Sequence, residues 1–253
     1  MGAARAWVGT SGWTYQHWKG VFYPAGVAQR RWLEFYARHF DTVEVNASFY
    51  RLPTQGTFAG WCQRTPEHFR FCAKASRLIT HLHRLKNVGP AWGLFWDHAQ
   101  ALGEKLACIL VQLPPGLPAH PERLEEFCRL LPGTVRFAFE FRHGSWFSEP
   151  IYRILAEHGH ALCQASSPGH PGPEVATAPF AYLRMHGGPS IEQSDYSRPE
   201  LQTWGERIRD MLGQGRDVYV YFNNDPRGYA VFNAQYLRSL VSPGQEYSGG
   251  TPA

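Results

Sequence analysis

Along the chain, short runs that change character at every second residue are separated by longer runs whose apolar positions recur every three or four residues. The first period belongs to a strand, whose side chains alternate between two faces, and the second to an amphipathic helix. Read this way, the chain predicts strands near residues 7–11, 42–46, 69–74, 107–113, 135–141, 160–164, 180–186 and 217–223. Helices are predicted over Gln29–His39, Phe58–Arg64, Trp92–Lys105, Pro121–Leu131, Glu149–His158, Pro199–Leu212 and Tyr229–Leu240. Ser197 and Glu200 have the spacing of a capping box at the start of the sixth helix. Eight alternations of this kind in one chain predict an α/β fold, a single (β/α)8 TIM-type barrel over residues 1–242. It is irregular at one connection, because Ser166–Pro179 is rich in Pro and Gly and reads as a loop where the helix after strand six belongs. Residues 243–253 read as a flexible C-terminal tail. A doubly wound sheet also alternates β and α, but its strands are covered on both faces and read as continuous apolar runs. Here one face of the strands turns polar toward their C-terminal ends.

That polar face is the candidate site. In Val135–His143 the apolar set is Val135, Phe137, Phe139 and Phe141, and the other set ends in Glu140 and Arg142. The same reading isolates Glu44 with Asn46, Lys74 with Arg70 and Cys72, Gln112, Arg184 and His186 with Tyr182, and Asn223 with Tyr219 and Tyr221. In a barrel the C-terminal strand ends open into the loop face that carries the chemistry. Burying an unpaired charge is costly, so Glu140 is expected to pair with Arg142 or Arg184, and Glu44 with Lys74. One or two cations are left over for an anionic ligand, a phosphate or carboxylate. Glu44, Glu140, His186 and Lys74 are therefore the candidate catalytic residues. Arg142, Arg184, Asn46, Asn223 and Asp225 are candidate binding residues. Aromatic side chains after the first, second and fifth strands, with Tyr221 on the eighth, add Trp13, Tyr15, Tyr50 and Trp146 as stacking candidates for a ring-bearing ligand. Two loops, Arg184–Gly188 and Asn223–Gly228, carry glycines that fit either phosphate binding through backbone N–H groups or tight turns.

Composition narrows the classes. At 253 residues and 43% hydrophobic, the chain can bury a large core, and no apolar run approaches the roughly 18 residues of a membrane span. The N-terminal residues lack the apolar stretch of a signal peptide, which points to a cytoplasmic protein with no membrane partner. Twenty-five basic against 21 acidic residues give +4, a mild tilt toward anionic partners without a nucleic-acid-grade basic tract. Cys62, Cys72, Cys108, Cys128 and Cys163 form no CxxC pair and read as buried reduced thiols.

Several motifs, in order, carry a family resemblance. They are Gly9–Trp13 with Tyr15, Trp18 and Phe22–Pro24; Glu44–Asn46 with Phe49–Arg51 and Pro53; Phe71–Lys74 with Thr80–His81; Leu113–Pro114; Glu140–Arg142 with Ser145–Trp146; Tyr182–Gly187; and Tyr221–Asp225 with Gly228, Asn233 and Ala234. Together they closely resemble the YecE-like family, domain of unknown function 72, from about Trp7 to Val241. The resemblance implies a one-domain TIM barrel and no particular reaction. It also marks a departure: the family usually carries an Asp before Ser-Pro after the sixth strand, where this chain has Ala165-Ser166-Ser167-Pro168.

The leading expectation is an uncharacterised enzyme, a hydrolase, lyase or isomerase without a cofactor, acting on a small anionic organic substrate by acid/base chemistry. Two glutamates among aromatics also fit a glycoside hydrolase. Aromatics beside cations fit a nucleotide or single-stranded nucleic-acid binder, with Arg30-Arg31 and His81–Lys86 as its modest surface candidates. Glu44, Glu140, His186 and Asp225 are suitable metal ligand types, but they lack diagnostic spacing and have arginines beside them, so no metal is expected.

Overall fold

The two-residue period becomes eight strands: β1 (Ala6–Thr10), β2 (Thr42–Val45), β3 (Arg70–Lys74), β4 (Leu106–Gln112), β5 (Arg136–Glu140), β6 (Ala161–Ser166), β7 (Phe180–Met185) and β8 (Asp217–Phe222). The computed structural model describes residues 3–166, 173–188, 190 and 193–242. The strands form one sheet in the order β1-β8-β7-β6-β5-β4-β3-β2, with parallel registers. Between them run α1 (Trp32–Tyr36), α2 (Ala47–Tyr50), α3 (Gln55–Gln63), α4 (Gly89–Ala99), α5 (Pro121–Cys128), α6 (Glu149–Glu157), α7 (Arg198–Gly213) and α8 (Tyr229–Val241). This is the (β/α)8 TIM-type barrel that the alternation predicts. Proline occupies the first turn of α4, α5, α6 and α7, where its missing N–H costs nothing. The capping box of α7 is formed: Glu200 N–H donates to Ser197 Oγ, and Ser197 N–H donates to Glu200 Oε2 at 2.8 Å. Between β6 and β7, residues 173–179 contain no helix; the rest of the predicted loop lies outside the described residues, except Ser166, which ends β6. The predicted tail, 243–253, also lies outside them.

The described residues pack as two compact units. One holds the chain up to Val43, Ala165 and Ser166, and everything from Phe180 on; the other holds Glu44–Gln164 and residues 173–179. In the second unit, registers align Lys74 with Leu110 and Ala138, and Gln112 with Glu140, while Val111 aligns with Phe139 and Leu162. The row of Val111, Phe139 and Leu162 is apolar and buried; the row of Gln112 and Glu140 is polar. In the first unit, Gly9, Tyr221 and Arg184 share one row, and Val8, Val220 and Leu183 share the apolar row of the opposite face. Alternation therefore sorts the faces as expected. All five cysteines are free thiols; four are buried and Cys62 is half-buried.

The sheet order begins with β1 and ends with β2, and no ladder joins these two strands among the described residues. Side chains span the gap, and at the strand starts Arg5 pairs with Asp41 at 2.9 Å. Tyr36 of α1 accepts from Thr10 N–H at 2.9 Å and donates its hydroxyl proton to Thr42 O at 3.1 Å. Burial pushes the Tyr36 hydroxyl far above the usual tyrosine range, so it stays protonated and keeps donating. Thr42 Oγ1 is hydrogen-bonded in turn to Tyr221 Oη at 2.6 Å.

At the opposite strand ends, a cavity of 590 Å³ is lined by Leu106, Cys128, Arg136, Glu157, His158 and His160 among others. His160 is buried against the rings of Phe137 and Phe139, and its Nε2 has no hydrogen-bond partner. Burial first, and then the neighbouring His158, push His160 down to about 4. The unfolded chain takes this proton near 6.5, so the stability tied to the neutral ring is fully present above that pH and is lost as pH falls toward 4. The loss between pH 7 and 5 is about 2 kcal/mol. Urea midpoints at both pH values should therefore fall less on acidification in His160→Phe than in the parent chain. An equal fall in the two proteins would show that His160 is not the responsible group.

Candidate functional site

Each unit carries its own set of polar strand ends. In the second unit, β3 ends at Lys74, which is 6% exposed. Its Nζ donates to Asn46 Oδ1 at 3.4 Å and lies 4.1 Å from the centroid of the Phe49 ring. The local sequence explains this placement. Asn46 immediately precedes the short helix α2, and Ser48 of that helix contacts Lys74 O at 2.7 Å and Val45 O at 2.9 Å. The helix is thereby tied to the end of β3, which fixes Phe49 beside the ammonium as a cation–π partner. Glu44, one strand position before Val45, is fully buried.

Glu140 ends β5 at 1% exposure and forms an ion pair with Arg142, whose side chain is 19% exposed. Of the two partners expected for Glu140, the structure thus brings Arg142 to it. Gln112 stands in register with Glu140, and its Oε1 is buried without a hydrogen-bond partner. Alternation isolates Gln112, but nothing in the sequence marks its amide as unsatisfied. Trp146 is fully buried, stacked on Phe141 at 4.6 Å, with its indole N–H donating to Leu117 O at 2.8 Å. It packs against the residue just beyond the end of β5 and presents no open face. Tyr50 is the opposite case, 68% exposed, with its ring edge-on to Phe49. His81 also packs edge-on against Phe49, at 4.9 Å. Burial, then Lys74 and Arg77, hold it below the usual histidine range.

In the first unit, Arg184 is 1% exposed and its Nη2 donates to Ser11 Oγ at 3.4 Å. His186 follows β7, with Nδ1 3.2 Å from Asn223 Nδ2. With that amide donating, Nδ1 carries the lone pair and Nε2 carries the proton, so neutral His186 offers a donor at Nε2. Tyr221 is fully buried and spends its hydroxyl on Thr42. Trp13 is buried, and its carbonyl accepts from Tyr23 Oη at 2.6 Å. Tyr15 is half-buried, with its ring 4.7 Å from Trp18 and its hydroxyl donating to Ser11 O. Asp225 receives two donors at its main-chain oxygen, Trp18 Nε1 at 3.0 Å and His17 Nε2 at 2.9 Å, and its carboxylate lies 3.5 Å from His17 Nε2. Burial holds this carboxyl above the usual aspartate range, with His17 opposing the shift.

The glycine loops resolve toward turns. Gly187 has φ +77, and a Cβ there would stand 2.3 Å from Ser194 O, so the chain crosses itself too closely for any side chain. Its N–H donates to Tyr196 Oη at 3.0 Å, and Gly228 N–H donates to Asp225 O at 3.1 Å. Both amides are engaged within the protein. Ser166, where the resembled family usually has Asp, accepts from Tyr196 Oη at its Oγ, 2.9 Å, and from His186 N–H at its main-chain oxygen, 3.0 Å. Among the described residues, no group of three or more His, Cys, Asp or Glu side chains is placed to hold a metal ion. No helix among them is long and apolar enough to cross a membrane.

Eight parallel strands alternating with helices make this a TIM-type barrel, and six of the strands, β2, β3, β4, β5, β7 and β8, carry charged or amide side chains at or just beyond their C-terminal ends. The chain belongs to the family described as protein of unknown function DUF72, which it matches over residues 7–252. It is similar to the UPF0759 protein YunF of Bacillus subtilis, 27% identical with 97% of each chain covered. It is also similar to the UPF0759 protein YecE of Escherichia coli, 29% identical with 80% of each covered. Among solved structures, a DUF72 family protein from Thermotoga maritima superposes with a TM-score of 0.83 at 30% identity, covering 93% of this chain and 99% of that one.

Proposed function

We propose that the chain is an enzyme that binds an anionic organic molecule, a phosphate or carboxylate ester or acid, and transforms it by acid/base chemistry in the cytoplasm. The observation that carries this reading is the depth of its charges. Glu44, Lys74, Glu140 and Arg184 are all buried at the ends of strands whose other face is apolar. Taking a charge out of water costs several kcal/mol, and a fold that needs only packing has no reason to accept that cost at four strand ends. In the second unit, Lys74 and Arg142 are the anion contacts, and Glu140 or Glu44 is the proton carrier. In the first, Arg184 is the anion contact, while His186 donates from Nε2 and Asn223 holds its ring. Asn46, Tyr15 and Tyr50 complete the binding groups. Free thiols throughout support a reducing compartment.

Lys74→Met tests this directly. Removing one charge-assisted contact of about 1.5–3 kcal/mol should weaken the binding of inorganic phosphate at low salt roughly tenfold or more. Calorimetry measures the affinity, and circular dichroism checks that the variant is folded. Unchanged phosphate affinity in a folded variant would remove Lys74 from the site.

A further inference from the structure

His81 lies outside the strand alternation, yet its surroundings are unusually defined. The turn that carries it, Leu78–Leu82, is a π-turn, a form found often at functional positions. Just beyond it, three residues that are not glycine adopt left-handed backbone, Arg84, Leu85 and Asn87, with φ of 51, 62 and 53. Such conformations cost about 1–3 kcal/mol each and persist only where the surroundings hold them. Here Leu85 is buried, its N–H donates to Ile79 O at 3.0 Å, and Arg123 donates to Arg84 O at 3.3 Å. The turn they hold packs His81 against Phe49, the same ring that carries the Lys74 ammonium.

The hydrogen bonds fix which nitrogen is protonated. Thr80 Oγ1 has one proton and two neighbours, Ser76 O at 3.3 Å and His81 Nδ1 at 2.9 Å. A carbonyl can only accept, so both bonds form only if Thr80 donates to Ser76 and His81 Nδ1–H donates to Thr80. The lone pair is then on Nε2.

We propose that His81 is a second proton-transfer group of this unit beside the carboxylate, an acceptor that takes a proton at Nε2 from a substrate whose anionic group docks on Lys74. The proton leaves an O–H or an acidified C–H of the substrate, the electron pair stays on the substrate, and an imidazolium forms. Burial first, and then the charges of Lys74 and Arg77, oppose this imidazolium in the free protein. A docked anion offsets the two charges, so His81 becomes a stronger base when substrate is in place. The inference rests on the anion-binding reading above.

The test is a pH titration of the histidine ring resonances of the full chain by NMR, with and without inorganic phosphate, using His81→Gln to assign the signal. Without phosphate the His81 midpoint should lie below 6.5. Saturating phosphate should raise it by about 0.5 pH or more, and Lys74→Met should abolish the rise. A midpoint that stays fixed while phosphate perturbs the Asn46 amide and the Phe49 ring would overturn this inference alone. No phosphate effect on Lys74, Asn46 or Phe49 would overturn the anion reading and this inference with it.

Discussion

Gly9→Ala is expected to destabilise the protein by about 3 kcal/mol or more, although it adds a single methyl group. A Cβ at Gly9 would stand 2.3 Å from Thr42 O and 3.1 Å from Tyr36 Oη. Both neighbours are fixed. Thr42 belongs to β2, and the Tyr36 hydroxyl is committed to Thr10 and Thr42. Relief requires a strand to move, which would break the Tyr36 bridge between β1 and β2. For a chain of this size, 3 kcal/mol corresponds to a fall in Tm of about 6–12 °C. Differential scanning calorimetry measures it. A fall below about 2 °C would mean that the seam is soft and that Tyr36 is not what joins β1 to β2.

Arg142→Met should cost about 3–5 kcal/mol, because it leaves the buried Glu140 carboxylate without its ion-pair partner. The informative comparison is the double variant Glu140→Gln with Arg142→Met. If the pair serves only the fold, urea unfolding should show the double variant no more stable than the single one. If the pair is retained for chemistry, the double variant should recover most of the lost stability while losing the binding of anions. The second outcome is expected, since replacing both members of a buried pair with neutral groups is often harmless to stability.

The strands were legible because the period of two survives wherever one face is apolar. All eight appear within about two residues of their predicted ends. The helices were less so. Gln29–His39 divides into a 3-10 turn at Gln29–Arg31 and α1, and Trp92–Lys105 becomes α4 followed by a 3-10 run interrupted at Gly103. Helix α2 and the π-turn are too short to show any period. They owe their form to long-range contacts, such as Ser48 on the end of β3 and Leu85 in the core.

The site was legible in part, for a related reason. Alternation says which face a side chain shares, but not how deep it lies or whether its polar atoms are already committed. Charge alone leaves Glu140 a choice of Arg142 or Arg184, and the structure pairs it with Arg142. Trp146 and Tyr221 read as ligand contacts, yet both are fully buried with their polar atoms committed inside the protein. His81 and Gln112 show the converse. One reads as surface and the other as a minor polar position, and only packing reveals the Phe49 contact and the unsatisfied amide oxygen.

The most direct measurement is a high-resolution crystal structure of protein purified without added anions, inspected at the C-terminal ends of β3, β5 and β7. A phosphate, sulfate or carboxylate-bearing metabolite within hydrogen-bond distance of Lys74, Arg142 or Arg184 is expected. Strand ends filled only by protein carboxylates and water, with every cation paired internally, would contradict an anion-binding enzyme and leave a structural ion network in its place.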